Sequence, residues 1–345
     1  MNRRVVMLDG SGRITIEEEP CPEPKPGQLL VEVRACCVSP GTELGGVSAR
    51  RQEPNPELPR RAFGYSNAGV VIARGPGCED IPLGTPVACM GAGYAQHSTH
   101  AAVPRNLAVP IPAGVTFEAA ATTHLAATAF HALRRGEFLL GEHLAVLGLG
   151  IVGQFCSQLG TLSGAHVMAV DRLPLRLQAV SPYVERAVNG TTEDVVALAR
   201  EFSRGHGFDG GIIAFGGDAT PALQTLTQIL KRSPDTHTMG RVVVVGAARI
   251  DQVFAAALGN VDIRSSARPG PGYHDKEWEH GKDYPPVFVE WTTRRNLEEC
   301  LRFMALGRLH PEAIITHRVP LAEAPAICET LIQSPGDALG VILLP

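Results

Sequence analysis

The sequence predicts an α/β fold in two parts, a β-rich opening segment and a doubly wound parallel sheet. Three observations carry that prediction. Before Ala119, short β-prone runs are separated by Gly, Pro and Asp. From His143, strands alternate with helices, which requires β-α-β crossovers and a parallel sheet covered on both faces. At the first strand-to-helix junction of that series stands Gly148-Leu149-Gly150-Ile151-Val152-Gly153.

The elements follow in order. "RRVVML", "RITIEE", "QLLVEVRACCV", "AGVVIARG", "TPVACM" and "HAAVP" read as strands. The prolines of "EEPCPEPKPG" and "RRQEPNPELPRR" stop those strands from continuing. "AAATTHLAATAFHALRR" has the composition and period of one helix. "HLAVLGLG", "AHVMAVD", "DGGIIAFGG", "GRVVVVGAA" and "VDIRSSAR" are strands, with helices at "IVGQFCSQLGTLSG", "EDVVALAREFSRG" and "TPALQTLTQIL". A polar, aromatic insert then runs over 269–292, too rich in Gly, Pro and charge for either regular element. Two helices, "LEECLRFMALG" and "AEAPAICETLIQS", and two strands, "ITHRVPL" and "ALGVILLP", close the chain. The changes of period place a nucleotide domain at 126–266, inserted into a discontinuous substrate domain of 1–125 and 267–345.

Bulk properties narrow the function classes. At 345 residues the chain has room for two domains. A hydrophobic content of 44% and a charged content of 19% suit a folded, soluble protein. A net charge of −4 offers no electrostatic reason to expect nucleic acid or an anionic membrane as partner. No run is apolar enough to cross a bilayer, and "MNRRVVMLDGSGRITIEEE" lacks the apolar centre of a secretory signal. The eight cysteines show no C-x-x-C spacing and read as reduced thiols of a cytoplasmic protein.

The glycine run is a dinucleotide motif because of its context: a strand before it, a helix after it, and a second strand ending at Asp171. Gly148 allows the tight turn, Gly150 lets a pyrophosphate approach the backbone, and Gly153 lets helix pack on strand. Leu149, Ile151 and Val152 complete the loop over the helix N-terminus, where free N–H groups and the helix dipole favour a diphosphate. Asp171, about 20 residues on, stands where a carboxylate binds adenosine ribose hydroxyls. Against a 2′-phosphate it would repel by roughly 4 kcal/mol at about 4 Å and intermediate dielectric. NAD is therefore expected over NADP, with the adjacent Arg172 as a counterweight. Gly246, after "GRVVVV", is counted with the cofactor residues.

A β-rich first domain, a nucleotide domain second and a C-terminal return to the first resemble the medium-chain dehydrogenases/reductases. The resemblance spans essentially the whole chain, through "GYSNAGVVIARG", "YAQHSTHAAVPRNLAVPIPAGVTFEAAA", "VLGLGIVG" and "GRVVVVG". It implies a GroES-like catalytic domain beside a Rossmann domain. Zinc members of that family carry Cys-Gly-Ser/Thr-Asp where this chain has "SPGTE", so Ser39 or Pro40 replaces the first ligand. Tyr65 replaces the histidine of the Gly-His-Glu motif, and no Cys or Glu opens the helix at the third position. The four-cysteine structural-zinc loop is missing. Adjacent Cys36 and Cys37 point to opposite faces of a strand and do not chelate one ion together. A zinc-free member is expected; a metal held by Cys37 with His97 or His124 is the remote alternative.

Without a metal, side chains take the proton while NAD takes the hydride. Glu43, Tyr65 and His97 fall at or near the vacated ligand positions and are the expected catalytic group, with a Tyr65–His97 relay working near neutral pH. Each also has a plain reading: a turn hydrogen bond, a packed aromatic, a satisfied strand histidine. The insert resembles a "GPG…D…E…G-DYP…W-T…RN" segment of a zinc-free subset found near sugar and cyclitol metabolism. Tyr273, His274, Asp275, Lys276, Trp278, Tyr284 and Trp291 are its candidate substrate residues, lining a polyhydroxylated ring. A subunit contact or a solvated lid explains it equally well. Arg294, Arg295 and Asn296 are a candidate phosphate site. The expected protein is a homodimer that oxidises a sugar-like or cyclitol secondary alcohol with NAD. A quinone- or enoyl-reductase-like enzyme and a nucleotide-binding protein without catalysis are the competing readings.

Overall fold

The computed structural model describes residues 1–345. It holds a parallel sheet covered by helices and a separate β-rich sheet, the α/β class that the period changes predict. The chain divides into two compact units, Met1–Ala127 with Pro269–Pro345, and Thr128–Arg268.

The first unit is built on an antiparallel core. Gln28–Val38 is its central strand, nine of its eleven residues buried, because it pairs with neighbours on both edges. The sheet runs Ile315–Pro320, Gly340–Leu344, Gln28–Val38, Ser66–Arg74, Pro86–Met90, Ala108–Pro110, with His100–Pro104 also paired to Gln28–Val38. The C-terminal strands thus complete the sheet begun by the N-terminal segment. After Val38 the chain makes a π-helical turn, Pro40–Leu44, and a helix, Gly45–Gln52, whose low mean hydropathy offers no apolar period to predict it from.

The second unit carries the parallel sheet, in the order Arg186–Asn189, His166–Asp171, His143–Leu147, Gly210–Ile213, Met239–Val245, Asn260–Ser266. Its core includes Ala145, Met168, Phe208, Ile213, Leu223 and Val242. Three strands, His143–Leu147, His166–Asp171 and Gly210–Ile213, are buried on both faces, which explains why they read as continuous runs. Two elements went unread, the helix Pro174–Val180 and the short edge strand Arg186–Asn189. The expected single helix over 119–135 is two, Phe117–Ala121 and Thr123–Gly136, broken where the Thr122 hydroxyl returns a hydrogen bond to the Ala119 carbonyl at 2.7 Å. No helix is long and apolar enough to cross a membrane.

Candidate active site

In the first unit, the strand Ser66–Arg74 and the π-helical turn bring together residues far apart in sequence. Glu43, on that turn, accepts the Ser39 N–H at 3.2 Å and meets His97 at 3.0 Å, Oε2 to Nε2. The Glu43 Oε1 and His97 Nδ1 atoms are buried with no hydrogen-bond partner. The imidazole is 0% exposed, packed edge-on against Phe63. It also lies under Gly64, whose φ of 102° and missing Cβ leave room for the ring: a Cβ would sit 2.6 Å from Cγ. Burial works against the imidazolium, but the Glu43 charge and the Cys36 thiol prevail, and His97 is pushed up to about 10.

Tyr65 is half-buried. Burial, then the Glu43 charge, push its phenol above the ordinary value, against hydrogen bonds with Ser39 and Thr42. Its ring meets His124 at 4.7 Å, and His124 meets Tyr273 at 6.2 Å. Burial lowers His124 to about 4, opposed by a 3.4 Å contact of Nδ1 with the Tyr65 carbonyl.

This geometry corrects the neutral-pH Tyr65–His97 relay. Both groups are shifted upward, away from neutrality, and His97 is spent on Glu43 rather than Tyr65. The His97 ring has no solvent exposure and reaches a ligand only through its neighbours. Of the three, only Tyr65 is accessible enough to meet a ligand. Sequence reading weighed His124 only as a remote metal ligand; its place beside Tyr65 depends on helix packing that no local pattern announces.

The residues at this place do not fit zinc. A thiolate, imidazole or carboxylate set is what zinc requires. At the ligand positions stand a serine hydroxyl and a phenol whose pKa is raised, the Glu43 carboxylate and His97 imidazole beside them are bonded to each other, and no group of three His, Cys, Asp or Glu converges in the chain. Cys36 and Cys37 are both buried, and burial raises the Cys37 thiol.

The insert is pinned to the first unit. The Tyr273 hydroxyl accepts the Ala92 N–H at 2.8 Å, and Asn106 Nδ2 donates to the Trp278 carbonyl at 2.6 Å and to Asp283 at 2.8 Å. Trp278 is 1% exposed, with Gly272 pressed against its ring, so it is a core residue and not the ligand-stacking face expected. Asp275 caps the short helix Lys276–Glu279, accepting from the Glu277 and Trp278 N–H groups, and takes the Tyr284 hydroxyl at 2.6 Å. Three donors of the insert itself thus bond its carboxylate, which stays exposed. Lys276 and His274 are exposed. Trp291 lies under the Arg295 guanidinium at 3.8 Å. The phosphate site is also corrected: Arg294 is paired with Glu298 and Asn106, Arg295 with Glu290, and buried Asn296 donates to the Pro269 carbonyl.

In the second unit, Gly148 has φ 90° and Gly150 precedes the helix Ile151–Leu162 with no side-chain cap. The first-turn N–H groups, Ile151 to Gly153, therefore have no intrahelical acceptor. A Cβ on Gly150 would meet nothing within 4 Å, whereas one on Gly153 would lie 1.8 Å from the Gly148 carbonyl oxygen. The loop is thus tight behind and open in front, which fits a dinucleotide diphosphate. Leu149 is buried and Val152 partly exposed. Asp171 accepts the Leu149 N–H at 2.6 Å and the Arg172 and Leu173 N–H groups at 2.7 and 2.9 Å, with Arg176 at 3.4 Å. It braces the loop it would serve. Exposed Arg172 and Gly246, with φ 103° after Met239–Val245, flank the same sheet end.

No protein-family model matches the chain. It is 25% identical, over 99% of its length and 88% of the relative's, to a "Probable zinc-binding alcohol dehydrogenase" of Mycobacterium tuberculosis. Among solved structures it is similar to a Sinorhizobium meliloti protein described as a zinc-binding dehydrogenase and bound to NADP (TM-score 0.80, 20% identity, all of both chains). It is also similar to the galactitol-1-phosphate dehydrogenase of Escherichia coli (TM-score 0.79, 15% identity, 99% of this chain and 100% of that one). With the glycine loop, the parallel sheet and the C-terminal return to the β-rich unit, these likenesses lead to one conclusion: the chain belongs to the medium-chain dehydrogenase/reductase superfamily, as an enzyme of the alcohol-dehydrogenase type.

Proposed function

We propose that this enzyme oxidises a secondary alcohol on a polyhydroxylated, sugar-like or cyclitol ring, with NAD as hydride acceptor and without zinc. The observation that carries the reading is Tyr65: a phenol with raised pKa, partly exposed, at the position where the resemblance has a zinc-ligating histidine. In place of a Lewis acid, a neutral hydroxyl donates a hydrogen bond to the substrate oxygen, while the hydride would go to NAD and the alcohol's proton to water. Glu43 and His97 hold the turn behind it, and Ser39 and Thr42 orient the phenol.

NAD supplies the hydride-accepting ring when bound. The Gly148–Gly153 loop would hold its diphosphate and Asp171 its adenosine ribose, with Asp171 disfavouring a 2′-phosphate. A relative is named zinc-binding, but in this chain Ser39 and Tyr65 make a poor zinc donor pair. The two units serve as substrate and nucleotide domains. Eight cysteines kept as free thiols agree with a reducing cytoplasm.

The test is NADH formation from a panel of cyclic and open-chain polyols. Turnover of at least one ring polyol with NAD supports the reading. NADPH-dependent reduction of a quinone or enone in its place would establish the reductase alternative. Tight NAD binding with no turnover of any substrate would establish the non-catalytic one.

A further inference from the structure

The geometry points to a specificity wall made by Tyr273 and His274, with Glu279 as the residue that positions it. This deepens the alcohol-oxidising reading and rests on it. His274 has φ 79°, the only non-glycine residue of the first unit in the left-handed region. Such a backbone persists only where its surroundings over-determine it. Glu279 does so: Oε1 accepts the His274 N–H at 2.8 Å, and Oε2 accepts the Tyr94 hydroxyl at 3.3 Å. Glu279 is 2% exposed, and these two bonds join its carboxyl group to neutral donors. A glycine at 274 would make the same turn without strain. Spending a buried carboxyl group to hold an exposed histidine in place makes sense if the imidazole itself is used.

Its surroundings say for what. The His274 ring lies against Tyr273 at 3.9 Å, tilted by 32°. Tyr273 is fixed by its bond to the Ala92 N–H and continues through His124 to Tyr65. A row of rings therefore runs from the proposed hydroxyl-binding phenol to an exposed imidazole on the insert. Flat rings accept the C–H face of a cyclic polyol, and the imidazole hydrogen-bonds a hydroxyl remote from the reacting carbon. An open-chain polyol must freeze its torsions to use the same wall and gains less from it.

The test uses the full chain with NAD present, and myo-inositol and sorbitol as ring and open-chain probes. Binding is read by saturation-transfer NMR, turnover as kcat and KM, NAD affinity by fluorescence titration, and stability as Tm. His274→Gly is expected to weaken myo-inositol binding about tenfold, the scale of one hydrogen bond with part of a contact face. Sorbitol and NAD affinities stay within threefold, and Tm holds or rises as strain is released. Glu279→Ala weakens ring binding likewise, whereas Glu279→Gln, which keeps an acceptor for the His274 N–H, restores it. Equal myo-inositol binding in the parent and in His274→Gly overturns the wall, as does a parent that binds no ring polyol. Ring binding lost in His274→Gly, in an enzyme that turns over no alcohol, sinks the proposed reaction and leaves the wall standing.

Discussion

His97 Nε2 lies 3.0 Å from Glu43 Oε2, 54 residues away in sequence, with both side chains sealed from solvent. Removing one partner of a buried pair leaves the other uncompensated, at a typical cost of about 3–5 kcal/mol. His97→Ala and Glu43→Ala are each expected to destabilise the protein on that scale in urea unfolding. The pH dependence follows from the sign of the His97 shift. Its folded value, about 10, stands above the ordinary 6.5, so the contribution is complete below 6.5 and fades as pH rises through 10. Parent stability should fall between those limits, and the fall should disappear in His97→Ala. An identical pH profile in both proteins would refute the assignment.

Tyr65→Phe keeps the ring and removes the hydroxyl. Turnover of the best polyol should drop on the order of 10²–10⁴-fold, with NAD affinity unchanged. Tyr65 is shifted upward, His97 lies at about 10 and His124 at about 4, so none of them titrates near neutrality. The kcat profile of the parent should therefore show no step between pH 5.5 and 8. A bell centred near 6.5 would restore the neutral-pH relay.

Elemental analysis of the purified enzyme is expected to find no stoichiometric zinc, and dialysis against a chelator to leave turnover unchanged. One zinc per chain, with activity lost on chelation, would overturn the metal-free reading and require donors other than Ser39 and Tyr65.

At the nucleotide loop, Gly153→Ala places a methyl group where the Gly148 carbonyl already stands. Overpacking of this kind costs about 1–3 kcal/mol, and NAD affinity should fall with stability. Asp171→Ala should relax discrimination against NADP and also loosen the loop, because the Leu149 N–H loses its acceptor. Titrating both cofactors into both variants separates the effects; unchanged preference in Asp171→Ala would remove Asp171 from cofactor selection.

Trp278→Ala should cost about 3–5 kcal/mol in unfolding free energy, as deletion of a buried indole does. Trp278→Phe should recover much of that with little change in KM. A large KM effect without a stability loss would return Trp278 to the ligand.

The sequence by itself determined what is local or periodic. The parallel sheet was legible because its strands are apolar runs of helix-separated β-branched residues. The glycine loop was legible because three glycines fall within six residues at a strand-to-helix junction; the structure leaves no room for a Cβ at Gly148 and Gly153 and open space in front of Gly150. The donor set was legible too, since Ser39 and Tyr65 can be read one by one against a motif. Tertiary structure decided everything that depends on who faces whom. It paired Glu43 with His97, sealed that pair, and left Tyr65 as the accessible member. It turned Trp278 inward and committed Arg294 and Arg295 to neighbouring side chains. An insert rich in Gly, Pro and charge has no period from which such directions can be read. The strain at His274, and the buried Glu279 that holds it, come from a turn whose geometry is set by packing against Trp278 and Tyr94 rather than by any residue's own preference.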